Sequence, residues 1–489
     1  MSNDITTETL GMLKGAYGNP LNKAATVTTA AGLVTYDLQA PAKNLYPVIV
    51  TFGSRIPRVS GKGGVATNWK QVSAITGSGY NAMGWVPEGQ RSGVMSITTA
   101  DKAASYRTIG EEGSLTFEAA SAAEGFEDER SRTSIRLLQK AMLKEDAAIF
   151  GGNASLALGV PSTPTTSAAG TGATLPAATY SVIVVALTFE GWSNSSLAGG
   201  VATSQTITGA DAKTYIVNGG SSNKSAAASQ AVTLGQTLTA SVSPVSGAVA
   251  YAWFTGTSGS EKLEAITTVS TVSFKAPLAG TGQAASAITA DNSRNANLAW
   301  DGLLTSALDP STDSYIFDLG GATLTGSGRA SIDEIDVMLK AMWDNYRLSP
   351  TVIYVNAQEQ QNITNKVLNG TSGSTIRHNV AMGQPGAVVA GNVVSHYYNP
   401  FTNGAGMMIP ILLAPNVPPG VIVGWADNLP AQYQSSEVPN VAEMKLRRDW
   451  YDIEWPLKTR EYEHGIYAEE TLAIYAPFAM GVLKNIGNG

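Results

Sequence analysis

The stretch Glu111–Asn153, EEGSLTFEAASAAEGFEDERSRTSIRLLQKAMLKEDAAIFGGN, carries the strongest periodic signal that sets the fold. From Glu127 to Phe150 the pattern predicts one long helix, because Ile135, Leu138, Met142 and Ile149 recur at three-, four- and seven-residue steps and so share a face. Glu127, Asp128 and Glu129 stand in the first turn, and Arg130, Arg132, Arg136, Lys140 and Lys144 follow, so the charge order runs with the helix dipole. Gly151 and Gly152 predict a left-handed terminating turn. Such a helix is roughly 35 Å long at about 1.5 Å per residue. Periodicity alone describes an amphipathic helix lying on a globular core.

Composition bounds the rest. A chain of 489 residues is long enough for about three domains and a large core. Only 14% of residues are charged and 51 are glycine, which suits a strand- and loop-rich chain. The net charge of -7 argues against nucleic-acid binding as the main activity. The absence of cysteine excludes disulfide scaffolds, thiolate metal sites and cysteine nucleophiles. MSNDITTETL has neither a basic nor an apolar leader segment. The run Met407–Trp425, MMIPILLAPNVPPGVIVGW, is broken by four prolines and Asn416, so it predicts buried strand and turn rather than a membrane span. A soluble chain made in the cytoplasm, without a membrane, is the expectation.

Outward from the helix, residues 1–49 read as an N-terminal arm, with Pro20, Pro41 and Pro47 as breakers and little period. Residues 50–112 predict an extended β-hairpin with a glycine-rich tip. VIVTFGSRIPRV, NWKQVSAITG and VMSITTADKAASYRTIGEEGSLTF are its extended runs. Gly61-Lys62-Gly63-Gly64 is not a phosphate loop, since Gly63 stands where Ser or Thr is needed and no glycine lies five residues before Lys62. Residues 113–159 hold the long helix. Residues 160–290 contain eight Asp, Glu, Lys or Arg and form a compositional unit, opening on the linker-like PSTPTTSAAGTGATLP. ATYSVIVVALTF, QTLTASVS, AVAYAWFTG and STVSTVSFKAP within it predict a small all-β sandwich, with Tyr251 and Trp253 facing away from the intervening alanines.

Residues 291–444 are mixed. Ser331 and Glu334 make a capping box for a helix marked by Ile335, Leu339, Met342 and Tyr346 and ended by Pro350. TVIYV predicts a buried strand, and Asn356 an N-cap for AQEQQNITNKVLNG, stopped by Gly370. That alternation means an α/β layer. A loop-rich stretch follows, and residues 445–489 are strand-like.

Nothing in the sequence builds a catalytic site. His378, His396 and His464 are far apart and read as surface or hydrogen-bonding residues. Asp309, Asp313 and Asp318 are too widely spaced for a calcium loop, and Gly326-Ser327-Gly328 is a turn into the next helix. The acid pairs Glu111-Glu112 and Glu469-Glu470 read as solvated faces. No cofactor or metal is expected.

The order of these parts resembles the major capsid proteins of tailed bacteriophages, the fold named after phage Hong Kong ninety-seven. The segments GFEDERSRTSIRLLQKAMLKEDAAIFGGN (125–153), PTVIYVNAQEQQNI (350–363) and GIYAEETLAIYAPFAMGVLK (465–484) carry the resemblance. It implies an α+β fold in which 1–49 is the N-arm, 50–112 the E-loop and 113–159 the spine helix of the peripheral domain. Residues 160–290 would be an inserted immunoglobulin-like domain, 291–444 mainly the axial domain, and 445–489 the return to the peripheral domain. It also implies a non-enzymatic virion protein that self-assembles into hexamers and pentamers of an icosahedral capsid around double-stranded DNA. A scaffolding protein, a portal and a decoration protein would be its partners. The implied inter-subunit contact residues are Lys62, Lys70 and Trp85 in the loop and Glu127, Asp128, Arg130, Arg132 and Arg136 on the helix. Some family members cross-link a loop lysine to a neighbour's asparagine; Lys62 and Lys70 lie in the matching loop, but no asparagine is matched. The residues leave two other readings open: a surface protein whose β module binds a host glycan or receptor, and an encapsulin-like compartment.

Overall fold

The computed structural model describes residues 48–61, 63–77, 85–123, 128–327, 331–369, 393–404, 406–429 and 440–488. The expected N-terminal arm, Lys62, most of the hairpin tip, Glu127, Gly328, Gly370 and His378 lie outside these residues, as does most of the loop after Gly370. The architecture is mixed α+β.

The long helix spans Glu129–Gly151, with Asp128 as its N-cap. Its buried stripe is only partly the expected one: Ile149 is buried and Leu138 and Met142 are half-buried, but the stripe is centred on other positions. Leu137, Ala141, Glu145 and Ile149 follow one another at four-residue steps into the core, with Asp146 and Phe150 beside them. Ile135 is 56% exposed. The C-terminus also differs from the expected left-handed turn. Gly151 is helical and Gly152 is extended, with φ -56 and ψ 142, its N–H donating to the Ala148 carbonyl. Gly151 is required for space instead: a Cβ there would sit 2.1 Å from Phe189 Cδ1.

Beneath this helix lies a four-stranded sheet in the order Arg58–Ser60, Ala442–Glu454, Glu461–Ile474, Arg107–Thr116. Its middle pair forms a long antiparallel arm from Ala442↔Ile474 to Glu454↔His464. Residues 51–56 turn rather than extend, so only Arg58–Ser60 of the expected first strand is present, and it pairs in parallel with Met444–Leu446. Arg107–Thr116, expected in the hairpin, belongs to this sheet.

A six-stranded sheet in the order Tyr315–Asp318, Met480–Lys484, Ile422–Trp425, Val352–Val355, Met407–Leu413, His396–Asn399 forms the α/β body. Val352–Val355 is buried along its whole length, as its apolar run predicts. Helices Asp333–Tyr346 and Ala357–Asn369 accompany this sheet. Asn356 caps the second through Gln358 N–H to its Oδ1 at 3.1 Å. The capping box of the first does not form. Ser331 Oγ donates to Asp336 and Glu334 accepts from Thr325 N–H, leaving Ile332 as N-cap with no side-chain bond. The helix ends at Arg347 in the left-handed conformation, φ 54, before Pro350 is reached. No helix among the described residues is long and apolar enough to cross a membrane.

Between these bodies, a sheet in the order Thr271–Phe274, Thr237–Ser241, Thr165–Ala169 faces one in the order Lys262–Thr267, Ala250–Gly256, Ala178–Leu187, Ala228–Val232. They share an apolar cluster that includes Leu238, Ala240, Phe274, Val182, Val184, Tyr251 and Trp253. The strand Ala250–Gly256 alternates as expected, sending Tyr251 and Trp253 into this cluster and Ala250, Ala252 and Phe254 into another on its far side. The expected linker is part of the packing: Thr165–Ala169 pairs with Thr237–Ser241, and Leu175 is fully buried. A small hairpin, Ser204–Thr208 with Thr214–Asn218, stands apart from both sheets.

Gly151→Ala should therefore destabilise the fold by about 1–3 kcal/mol through overpacking against Phe189. In an ordinary helix interior the same change gains about 1 kcal/mol. Urea unfolding of Gly151→Ala alone and in a Phe189→Ala background tests this: the penalty disappears once the ring is gone.

Candidate assembly surface and the junction that holds it

The expected hairpin exists as Ala66–Gly77 against Met95–Ser105, in register from Ala66↔Ser105 to Gly77↔Met95 with a bulge between Val72 and Ala74. At about 3.4 Å per residue its 12-residue strand reaches roughly 40 Å. Among the described residues no third strand joins this sheet, and none pairs with the outer edge of either strand. At its far end Trp85 and Val94 are 85% and 88% exposed. Lys70 and Asp101 are partners in register, 3.9 Å apart and both exposed.

The root of the hairpin is fixed. Gly61 N–H donates to the Leu446 carbonyl at 2.6 Å, Tyr106 N–H donates to the Val65 carbonyl at 3.0 Å, and Trp69 meets Tyr475 edge-on at 5.4 Å. A Cβ on Gly61 would fall 2.0 Å from the Tyr106 hydroxyl and 3.1 Å from the Leu446 carbonyl, so a side chain there would have to displace the tyrosine ring. Below the root, two adjacent acids of the long helix hold the turn that leads into it. Asp146 is fully buried. Its Oδ1 accepts from the N–H groups of Thr51, Phe52 and Gly53 at 3.1, 2.7 and 2.9 Å, and its Oδ2 accepts from Asn416 Nδ2 at 2.7 Å. This fixes Phe52 against Phe150 and Tyr354, with ring centroids 4.8 and 4.7 Å apart. Glu145, one residue earlier, pairs with Arg58. The same guanidinium donates through Nη2 to Glu470 Oε2 and Asp449 Oδ1, each at 2.9 Å. Burial works against the Arg58 charge, but the Glu145 and Glu470 carboxylates outweigh it and raise its pKa.

The described helical contact candidates, Asp128, Arg130, Arg132 and Arg136, are engaged within the chain. Asp128 accepts from Ser131 N–H at 3.2 Å and Ser131 Oγ at 2.6 Å, and these bonds hold its carboxyl below the usual range. Arg130 pairs with Glu454 and lies 4.6 Å from the Tyr462 ring centroid. Arg132 and Arg136 reach Glu129 at 3.0 and 3.5 Å. The acid pairs are not simply solvated. Glu111 receives Lys140 and Lys144, Glu112 accepts from Tyr467, and Glu469 receives Arg447, while Glu470 is fully buried. His396 is exposed, as expected, and its Nδ1 lies 3.0 Å from Ser395 Oγ. His464 is buried, against expectation, and neither ring nitrogen has a hydrogen-bond partner among the described residues.

Sequence reasoning passed over Arg58, Glu145 and Asp146 and read Glu470 as part of a solvated pair. One signal was present: Glu145 stands four residues after Ala141 and eight after Leu137, on the apolar stripe rather than opposite it. Among the described residues no group of three or more His, Asp or Glu is placed to hold a metal ion.

Asp146→Ala should cost about 3 kcal/mol or more, because several buried donors lose their acceptor at once. Asp146→Asn, which keeps an acceptor for the turn, should cost less. Urea midpoints compare the two; variants indistinguishable from wild type would contradict this role for Asp146.

No family model and no curated protein matches the sequence. Solved structures do. The capsid of a native GTA particle aligns with 94% of this chain and 100% of its own, at 9% identity and a TM-score of 0.45. The capsid of the Myoviridae phage XM1 aligns with 95% and 100%, at 10% identity and a TM-score of 0.43. The holo-SrpI encapsulin complex from Synechococcus elongatus aligns with 95% and 96%, at 7% identity and a TM-score of 0.41. The chain is thus similar, over nearly the whole length of both partners, to subunits of capsids and of an encapsulin.

Proposed function

We propose that this protein is the major structural subunit of a closed shell, assembling through hexamers and pentamers into an icosahedral capsid that encloses double-stranded DNA. The observation that carries the reading is the hairpin. A two-stranded ribbon of roughly 40 Å, with neither edge paired among the described residues and Trp85 and Val94 exposed at its end, is marginal alone and invites pairing with another chain. Yet its root is fixed by glycine passage, backbone bonds and buried ion pairs. A rigidly mounted, uncovered ribbon is suited to lie across a neighbouring copy, and a repeated heterologous contact of that kind closes a ring or a shell.

The remaining assignments follow from this reading. The sheet under the long helix serves as the peripheral domain, the six-stranded body as the axial domain and the low-charge sandwich as an immunoglobulin-like insertion. Lys70, Trp85 and the exposed parts of the helix lie at or near neighbouring copies. Scaffolding, portal and decoration proteins are its partners, and the net charge of -7 keeps the wall from binding packed DNA. The role is structural rather than catalytic, in a virion built in the host cytoplasm.

The test is sedimentation followed by electron microscopy of the full chain, co-expressed with its gene neighbours. Closed shells of uniform diameter are expected. A chain with residues 67–104 replaced by a short glycine-serine turn should still unfold in one cooperative thermal transition and form no closed shells. A full chain that stays monomeric at every concentration, with scaffold present, overturns the proposal. Protein cargo in place of DNA would turn it toward an encapsulin-like compartment.

A further inference from the structure

The Arg58 junction holds more acid than base. Facing its guanidinium are Glu145 from the long helix, Glu470 from the strand Glu461–Ile474 and Asp449 from the strand Ala442–Glu454. Glu470 has no exposed side-chain surface and Glu145 has 5%, whereas Asp449 stands largely in water. The neighbouring cations are committed elsewhere. Arg107, opposite Glu470 in the sheet register, donates to the carbonyls of Ala296 and Ala299. Arg448 stacks over Tyr451, Lys144 pairs with Glu111, and Lys445 pairs with Glu443.

One positive charge therefore serves two sealed carboxyls. The geometry shows the deficit as an orphan: Glu470 Oε1 is buried and has no hydrogen-bond donor among the described residues. A proton on Glu470 resolves this, since its O–H can donate to the Glu145 carboxylate beside it and leave a neutral buried set.

We propose that this junction is a proton-operated latch, holding the hairpin root to the long helix and the arm while Glu470 keeps its proton and loosening as that proton is lost. The elements it joins are those that aim the hairpin. The latch stands on this geometry and does not depend on the shell reading.

The direction of the effect follows from linkage. Burial first, and then the charge of Glu145, push the Glu470 carboxyl up to about 8 from its ordinary 4.5. A carboxyl raised in the closed state stabilises that state fully below the ordinary value, and this stability is lost as pH rises through the raised one. Opening should thus increase about tenfold per pH unit from about pH 5, amounting to about 50-fold between pH 6 and pH 8, and level off above about pH 9.

Hydrogen exchange of the unassembled full chain, followed in peptides covering residues 52–61 and 137–150 and corrected for the chemical rate at each pH, reads this opening. Wild type should show the rise and the plateau. Glu470→Gln, which mimics the protonated carboxyl and cannot ionise, should change less than threefold over the same range. Glu145→Gln frees Arg58 to pair with an ionised Glu470 and should flatten the rise as well. A flat wild-type profile overturns the latch, as does a tenfold-per-unit slope surviving in Glu470→Gln. A Glu470→Gln chain that does not fold at pH 6 also overturns it, because the closed state is argued to need the neutral form.

Discussion

The Asp146 carboxylate, sealed under the long helix, accepts three consecutive backbone N–H groups from the turn at Thr51–Gly53. Much of the fold depends on that arrangement. Three adjacent donors converging on one oxygen impose a tight turn, which seats Phe52 between Phe150 and Tyr354 and directs the chain into the short parallel strand at Arg58. From there the hairpin departs. A buried charge is unfavourable unless fully hydrogen-bonded, and Asp146 meets that condition with four donors. The constraint is therefore rigid: the turn cannot relax without leaving either the carboxylate or the N–H groups bare.

Glu145 extends the constraint sideways. Neighbouring positions on a helix point about 100° apart, so two consecutive acids serve two different walls. Asp146 addresses the turn and Glu145 addresses Arg58, which in turn ties the helix to both strands of the arm. Buried ion pairs add little net stability compared with apolar packing, but breaking one is costly. Their value here lies in orientation. An apolar junction would tolerate sliding of the helix over the sheet, whereas a shared guanidinium fixes one register.

Elements with a local signal were legible in the sequence, and those that depend on distant partners were not. Val352–Val355 and Asn356 were readable because an apolar run and a capping side chain act within a few residues. The alternation around Tyr251 and Trp253 was readable for the same reason. The capping box failed because Ser331 and Glu334 found better partners in Asp336 and the Thr325 N–H. The helix was found, but its buried face only in part: Ile149 is buried, Ile135 fits the period and still faces outward, and Glu145 faces inward because Arg58 awaits it 87 positions away. Glu470 is 412 positions from Arg58, and no reading of adjacent acids reveals such a partner. The hairpin was legible as strands and glycines. That its root is locked while no other described strand pairs with its edges is a tertiary fact.

If particles form as proposed, another copy of the chain covers the hairpin in them. The chain contains no cysteine, so a single Val94→Cys substitution gives one thiol at the exposed end of the hairpin. Its rate of reaction with a small maleimide, measured on unassembled chain and on sedimented particles, tests the claim directly. The free chain should label rapidly, and the rate should fall by at least about tenfold, the order of magnitude for a site sealed by an interface, in the particles. Equal rates in both would place the hairpin in open water and contradict it.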